Sequence, residues 1–233
     1  MLQASGLKQK KTELTLNIEA LQKNKKAQLY IEMADKYLDA LGYTDHGQRH
    51  INIVSKTAYD VLKKLAPNNN DANLAAAAGF LHDIGNMLGR SEHHYIGALL
   101  AKEILEEVGY NLEDIARIMV AIAVHDDDKG VISDSIAAAL VLADKADVHR
   151  SRVRNPSLII KDIHDRVNYA ATESQLDIDN EKKFIRLSLT IDTEISQVIE
   201  YFEIFLSRML ACKKAAEFLG CEFHLYINNI RMA

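Results

Sequence analysis

LAAAAGFLHDIG, residues 74–85, is the stretch from which the rest of the chain is read. From Leu74 to Leu81 every residue is apolar or glycine, the composition of a helix buried on all sides. The run ends on His82 and Asp83, adjacent ionisable groups in a segment that buries whatever it carries. A buried carboxylate without a partner is costly, so Asp83 requires a cation, a hydrogen-bond network or a metal ion. Further histidines and aspartates stand in similarly apolar surroundings, which makes a metal site the leading expectation.

The flanking sequence is helical in pattern. Apolar residues recur from Leu29 to Leu41 at helical spacing and stop at Gly42; a second stripe, His50, Val54, Ala58, Val61 and Leu65, ends before Pro67. Thr44 or Asp45 is read as the cap of that second helix. The segment 74–84, Glu92–Val108, Leu112–Val124 and Asp134–Val148 complete a set of about six helices with short loops, an all-α bundle. Two prolines and ten glycines among 233 residues agree with long uninterrupted helices. After Pro156 the character changes. Val167–Leu176 and Phe184–Ile191 are β-rich and flank the polar DIDNEKK (177–183), which predicts a hairpin. A long helix follows over Glu194–Leu219, and CEFHLYINNI (221–230) alternates as a strand does. The fold class read from this is mainly α: a helical bundle over residues 1–156 and a small α+β appendage over 157–233. Tyr201, Phe202 and Phe205 on the long helix either cover the hairpin or form a homodimer contact, and the pattern leaves both open.

Composition removes several function classes. Net charge is −5, which argues against a nucleic-acid polymer as partner but not against small anions. No segment has the roughly 20 apolar residues of a membrane span. The first residues, MLQASGLKQKK, carry no apolar region after their charges, so no secretory signal is expected; Cys212 and Cys221 then read as reduced core thiols and the protein as cytoplasmic. No GxSxG elbow, glycine-rich phosphate loop or cysteine–histidine pairing is present.

Polar residues that fall on apolar stripes are the candidates for chemistry. His50 lies four before Val54, His125 three after Ile122, Asp144 four after Leu140, and His94 three before Gly97. His93 competes with His94, and the spacing to Gly97 is the reason for preferring His94. Asp147 competes with Asp144 one turn on. One histidine in a core is ordinarily just hydrogen-bonded, but imidazoles and carboxylates converging from several helices are how bundles hold metals. His46 stands four before His50 at a helix start and reads as a substrate-facing or supporting residue. The dipeptide His164-Asp165 lies outside the bundle and reads as structural; Asp126–Asp128 could bind a cation, though such a run is more often a solvated loop. Beyond Asp144 comes a basic run, Lys145, His149, Arg150, Arg152 and Arg154, suited to clamping phosphate oxygens or equally to a solvated helix end.

HGQRHINIVSKTA (46–58), FLHDIG (80–85), HHYIGALLAKEIL (93–105), AIAVHD (121–126) and LADKADVHR (142–150) resemble, in order and approximate spacing, the successive motifs of the HD-domain superfamily of metal-dependent phosphohydrolases. The resemblance spans roughly residues 25–155. It implies that His50, His82, Asp83 and Asp144 hold a first divalent ion and that His94 and His125 complete a second, with Asp83 bridging. Mn, Fe, Mg, Zn, Co and Ni are not distinguished by it. His125-Asp126 stands where one branch has two consecutive histidines, and that branch's GYP tripeptide is absent, so a cyclic-dinucleotide phosphodiesterase is disfavoured. The expected activity is hydrolysis of a phosphoester or phosphoanhydride in a small phosphorylated molecule, a nucleotide before a sugar phosphate. Asp83 and Lys145 are the catalytic candidates; His46, Lys145, His149, Arg150, Arg152 and Arg154 are the substrate-binding ones. A non-catalytic regulatory nucleotide- or metal-binding protein and a dinuclear-iron oxygenase are the alternatives.

Overall fold

Residues 18–127 and 130–233 are described by a computed structural model. Six bundle helices follow one another: α1 (Lys25–Ala40), α2 (Gln48–Leu65), α3 (Asp71–Leu81), α4 (His93–Val108), α5 (Leu112–Val124) and α6 (Ser135–Ala146). A short 3-10 segment, Ile84–Leu88, joins α3 to α4. The appendage comprises α7 (Ile163–Ala170), β1 (Ala171–Asp179), β2 (Phe184–Ile191), α8 (Val198–Phe218), β3 (Glu222–Ile227) and β4 (Ile230–Arg231). The mainly α reading is the observed one, and the all-α description applies to the bundle alone.

α3 is the central helix. Ala72 and every residue from Leu74 to Leu81 are buried, as its uniformly apolar sequence requires. Its small side chains let α2 approach closely. A Cβ on Gly79 would lie 2.8 Å from the Ser55 Cα, and the Ser55 hydroxyl donates to the Ala76 carbonyl across the same contact. This fixes the helix that carries His50 against the one that ends in His82. The cap of α2 is Gly47 rather than Thr44 or Asp45; Asp45 instead accepts from the Gly47 amide.

In the appendage the sheet order is β1-β2-β3-β4. β1 and β2 form the expected hairpin, with Leu176 opposite Leu187. β2 and β3 run parallel, Leu187 opposite Leu225, with α8 as the crossover, and β4 folds back antiparallel on β3. The expected strand over Val167–Leu176 is corrected: residues up to Ala170 belong to α7. Asp162 caps that helix by accepting from the amides of His164 and Asp165, and the pairing of Arg166 with Glu200 ties it to α8. α8 opens with a capping box between Gln197 and Glu200, four residues later than the Glu194 start expected from sequence. Tyr201 and Phe205 are fully buried and Phe202 packs against them, so this helix covers the sheet and also packs on α6. One apolar core runs from the bundle into the appendage. Among the described residues, no helix is long and apolar enough to cross a membrane.

Candidate metal centre

Five helix ends converge at one end of the bundle. α3, α5 and α6 arrive with their C-termini, bringing His82, His125 and Asp144; α2 and α4 leave with their first turns, bringing His50 and His93. Three C-terminal dipole ends make the position favourable for a cation. Asp83 follows α3 directly and heads the 3-10 segment.

Four imidazoles share the same hydrogen-bonding arrangement. Nδ1 donates to the Asp147 carboxylate in His50 (2.7 Å), to the Gly79 carbonyl in His82 (2.9 Å), to the Arg90 carbonyl in His93 (3.1 Å) and to the Ile122 carbonyl in His125 (2.7 Å). These partners only accept, so each Nδ1 carries a proton and Nε2 is the nitrogen turned to the cluster, a lone pair for a cation wherever no second proton is held. All four Nε2 atoms gather around Asp83. Its Oδ2 lies 3.3 Å from His82 Nε2 and 3.7 Å from His50 Nε2; its Oδ1 lies 3.4 Å from His93 Nε2 and 4.0 Å from His125 Nε2. The two oxygens of one carboxylate therefore face two separate imidazole pairs. Asp144 closes the first half, with Oδ1 3.3 Å from His50 Nε2 and 3.7 Å from His82 Nε2. Two groups, His50–His82–Asp83 and Asp83–His93–His125, have ligand atoms close enough together to hold a metal ion, and every member is buried.

The electrostatics suit a cation. The Nε2 atoms of His50 and His82 are 3.3 Å apart, a separation at which two lone pairs require a proton or a metal ion between them. Burial alone would lower the His82 pKa, but the Asp83 charge and hydrogen bonds to Asp144 and Asp83 outweigh it and push it to about 10. Burial raises the Asp83 and Asp144 carboxyls; His82 beside the first and Lys145 beside the second hold both well below the usual range. Burial lowers His93, and burial with the charge of His82 lowers His125 to about 3, so both are neutral donors at pH 7. In the second half Arg90 Nη1 donates to His93 Nε2 at 3.1 Å and lies 4.0 Å from Asp83 Oδ1. A second ion takes this position only if Arg90 yields it, which its pairing with Asp126 at 2.8 Å permits. The donor set, four neutral-capable imidazoles and two ionised carboxylates, fits divalent transition metals.

Supporting contacts lock the ligands. Asp147, one turn beyond Asp144, accepts from His50 Nδ1 and from both bonds of Arg49, the carboxylate–histidine arrangement that orients a metal-binding imidazole. The Asn86 side-chain amide donates to Asp83 Oδ1 at 2.8 Å. Lys145 is buried with Nζ 2.6 Å from Asp126 and 2.9 Å from Asp144, whose charges keep it protonated against the cost of burial. Asp126, expected in a solvated loop, thus belongs to the centre; Asp128 lies outside the described residues.

His93, not His94, is brought to the cluster. His93 occupies the first position of α4 with its Nε2 toward Asp83, whereas the His94 ring packs on Tyr95 at 4.2 Å, 6.4 Å from His125, its Nδ1 unpartnered among the described residues. The relevant spacing is four to Gly97, on the face where α4 meets the 3-10 segment, and not three. If the centre takes two ions, substituting His93 with alanine is expected to remove one of them, and His94→Ala to retain both. Metal content per chain of the two purified variants decides this, and the reverse pattern would restore His94.

The basic run divides. His46 and Arg152 border a cavity of about 540 Å³ beside the centre, with Tyr43, Arg90, His164, Asp165, Phe205 and Arg208 also on its wall. Burial holds His46 neutral, its Nδ1 donating to the Thr44 carbonyl at 2.7 Å. Arg152 donates to the carbonyls of Asp45 and Asp147. His149 instead binds Ser151 and the Thr172 carbonyl, Arg150 lies over the Tyr169 ring, and Arg154 pairs with Asp35 and Asp39. These three lie away from the centre, and their placement gives no support to a substrate contact. His164-Asp165, read as structural, borders the cavity. Arg90 and Arg208 went unread because nothing local marks them.

A sequence profile described as the HD domain matches residues 49–169, just over half of the chain. The chain belongs to the HD-domain family. The match begins one residue before His50 and takes in His82, Asp83, His93, His125 and Asp144. This HD-domain protein is also 30% identical over 200 residues to a protein of Methanocaldococcus jannaschii named Uncharacterized protein MJ1020, an alignment that covers 76% of each chain. No solved structure matches the chain. Membership of the HD domain implies the metal-dependent phosphohydrolase superfamily, and the buried His–Asp groups can hold a divalent metal.

Proposed function

We propose that the protein is a phosphohydrolase with two divalent ions, acting on a phosphoester or phosphoanhydride of a small phosphorylated molecule. The observation that carries this is the position of Asp83, one oxygen toward His50 and His82 and the other toward His93 and His125. When bound, a pair of divalent ions would polarise a phosphoryl oxygen and make water a nucleophile near neutral pH. Asp83, Asp144 and the four histidines would hold that pair, with His93 in the place assigned from sequence to His94. Lys145 keeps Asp144 and Asp126 ionised and oriented. His46, held neutral by burial and donating through Nδ1, keeps its Nε2 free to accept a hydrogen bond at the cavity wall. The cavity volume suits a small organic ligand, and the exposed Tyr43 ring on its wall favours a flat base, hence a nucleotide, over a sugar phosphate.

The test is a hydrolysis screen of the purified protein over nucleotides and model phosphoesters with Mn, Mg, Fe, Co, Ni and Zn. Phosphate release from at least one nucleotide, abolished by chelation, is the expected result. Metal-loaded protein that binds nucleotide and releases no phosphate would favour the regulatory reading. Oxygen consumption confined to the iron form, with no phosphate release, would favour the oxygenase.

A further inference from the structure

The structure assigns the C-terminal appendage a part in substrate binding: Arg208 on α8 is a phosphate-binding residue that completes the pocket of the metal centre. The inference rests on the reading of the bundle as a site for phosphorylated molecules and deepens it.

α8 packs on α6, the helix that carries Asp144 and Lys145. From there Arg208 borders both cavities beside the centre, one with His46, Arg90 and Arg152, the other with His125, Asp126 and Lys145. It is the side chain of the appendage that reaches both. The other two arginines of the first cavity are engaged. Arg90 donates to Asp126, Asn86 and His93, and Arg152 to two backbone carbonyls. Arg208 has no carboxylate within 4 Å and no hydrogen bond among the described residues; its near neighbour is the Phe205 ring, 4.6 Å from the guanidinium carbon.

An arginine on a helix surface ordinarily extends into water and needs no partner. Arg208 differs because it is half-buried and turned toward two other guanidiniums. Burial, and the like charges of Arg152 and Arg90, make its charge less favourable, while Asp144 and Asp126 act on it from beyond pairing distance. The cavity wall carries Asp162 and Asp165 as well as the three arginines, but among the described residues no carboxylate reaches Arg208, so an anion that enters beside it meets an uncompensated guanidinium. A guanidinium with its full set of donors free matches two oxygens of a phosphoryl group bidentately. The function of the appendage is then to bring this group to the cavities beside the metal centre, and the continuous core between bundle and appendage holds it in place.

Orthophosphate is the probe. It is titrated calorimetrically into the Mn-loaded full-length protein, wild type, Arg208→Gln and Arg208→Lys, with melting temperature and metal content measured for each. Arg208→Gln is expected to weaken phosphate binding by roughly 10- to 100-fold, the loss of a charge-assisted hydrogen-bonded pair, with Arg208→Lys recovering part of it. Fold and metal content stay as in wild type, and KM for whatever substrate the screen finds rises more than kcat falls. Equal phosphate affinity in wild type and Arg208→Gln, both folded and metal-loaded, overturns the inference. So does a wild type that binds no phosphate. Phosphate bound through Arg208 without turnover of any substrate leaves this inference standing and removes the hydrolase. Turnover with KM and phosphate affinity indifferent to Arg208 removes this inference alone.

Discussion

Asp83→Asn is expected to leave the protein folded and to remove both metal ions together. Asparagine keeps the volume and one acceptor, so Asn86 retains a partner, but the charge that both imidazole pairs share is gone. Loss of a supporting partner alone costs metal affinity about 10- to 100-fold, and a ligand shared between two ions costs at least that at each. Turnover should fall by about 10³-fold or more, since the ions that stabilise the developing charge are lost with it. The competing account treats Asp83 as the counter-ion of His82 in a buried pair. On that account the substitution leaves a buried imidazolium with Asp144 as its one remaining counter-ion, and the loss appears as up to about 3–5 kcal/mol of stability with metal content intact. Metal analysis alongside a thermal melt separates the two. Unchanged metal content in a folded Asp83→Asn protein would sink the bridging role.

Gly85→Ala is expected to have the largest effect on the fold of any single methyl added to this chain near the site. A Cβ there would lie 1.9 Å from the His93 carbonyl oxygen and 2.5 Å from the Gly97 amide nitrogen. Both are backbone atoms of α4 and neither can turn aside as a side chain would. The 3-10 segment must separate from α4, at a cost of about 3 kcal/mol, which for a chain of this size is a fall of roughly 6–12 °C in melting temperature. The separation also moves His93 away from Asp83, so the second ion should be lost before the first. A melting temperature and metal content like wild type would show that α4 is not seated on Gly85. The glycine after His82-Asp83 is thus explained by the close approach of two backbones and not by an unusual dihedral angle.

Much of the centre was legible because burial leaves a periodic trace. His50 and Asp144 stand out as polar residues on apolar stripes, and His82-Asp83 as ionisable groups ending an apolar helix. His93 and His94 were separable only by knowing which face of α4 meets the 3-10 segment, and Gly97, four residues on, marks that face once Gly85 is seen against it. Asp147 was recognised as a polar residue near Asp144, but its role depends on where the His50 ring points. Arg90 and Arg208 leave no local signal and Asp126 only an acidic run, because their roles come from elements far apart in sequence meeting at one place.

The appendage shows the same division. Phe184–Ile191 is legible to the residue because its branched and hydroxyl side chains suit a strand, and in the structure Ile185, Leu187, Leu189 and Ile191 are its buried face. Val167–Ala170, the last turn of α7, suits a strand locally through Val167 and Tyr169, whereas an eight-residue helix owes its stability to its cap and to packing on α8. Parallel pairing of β2 with β3 was not written in either strand; it follows from α8 crossing between them.

The central claim is tested most directly by the crystal structure of Mn-loaded protein, with the ions located by anomalous scattering. Two peaks are predicted, one among His50, His82 and Asp144, the other between His93 and His125, with Asp83 between them and Arg90 withdrawn to Asp126. A single peak at the first position, with Arg90 still on His93, or a second peak held by His94, would contradict it.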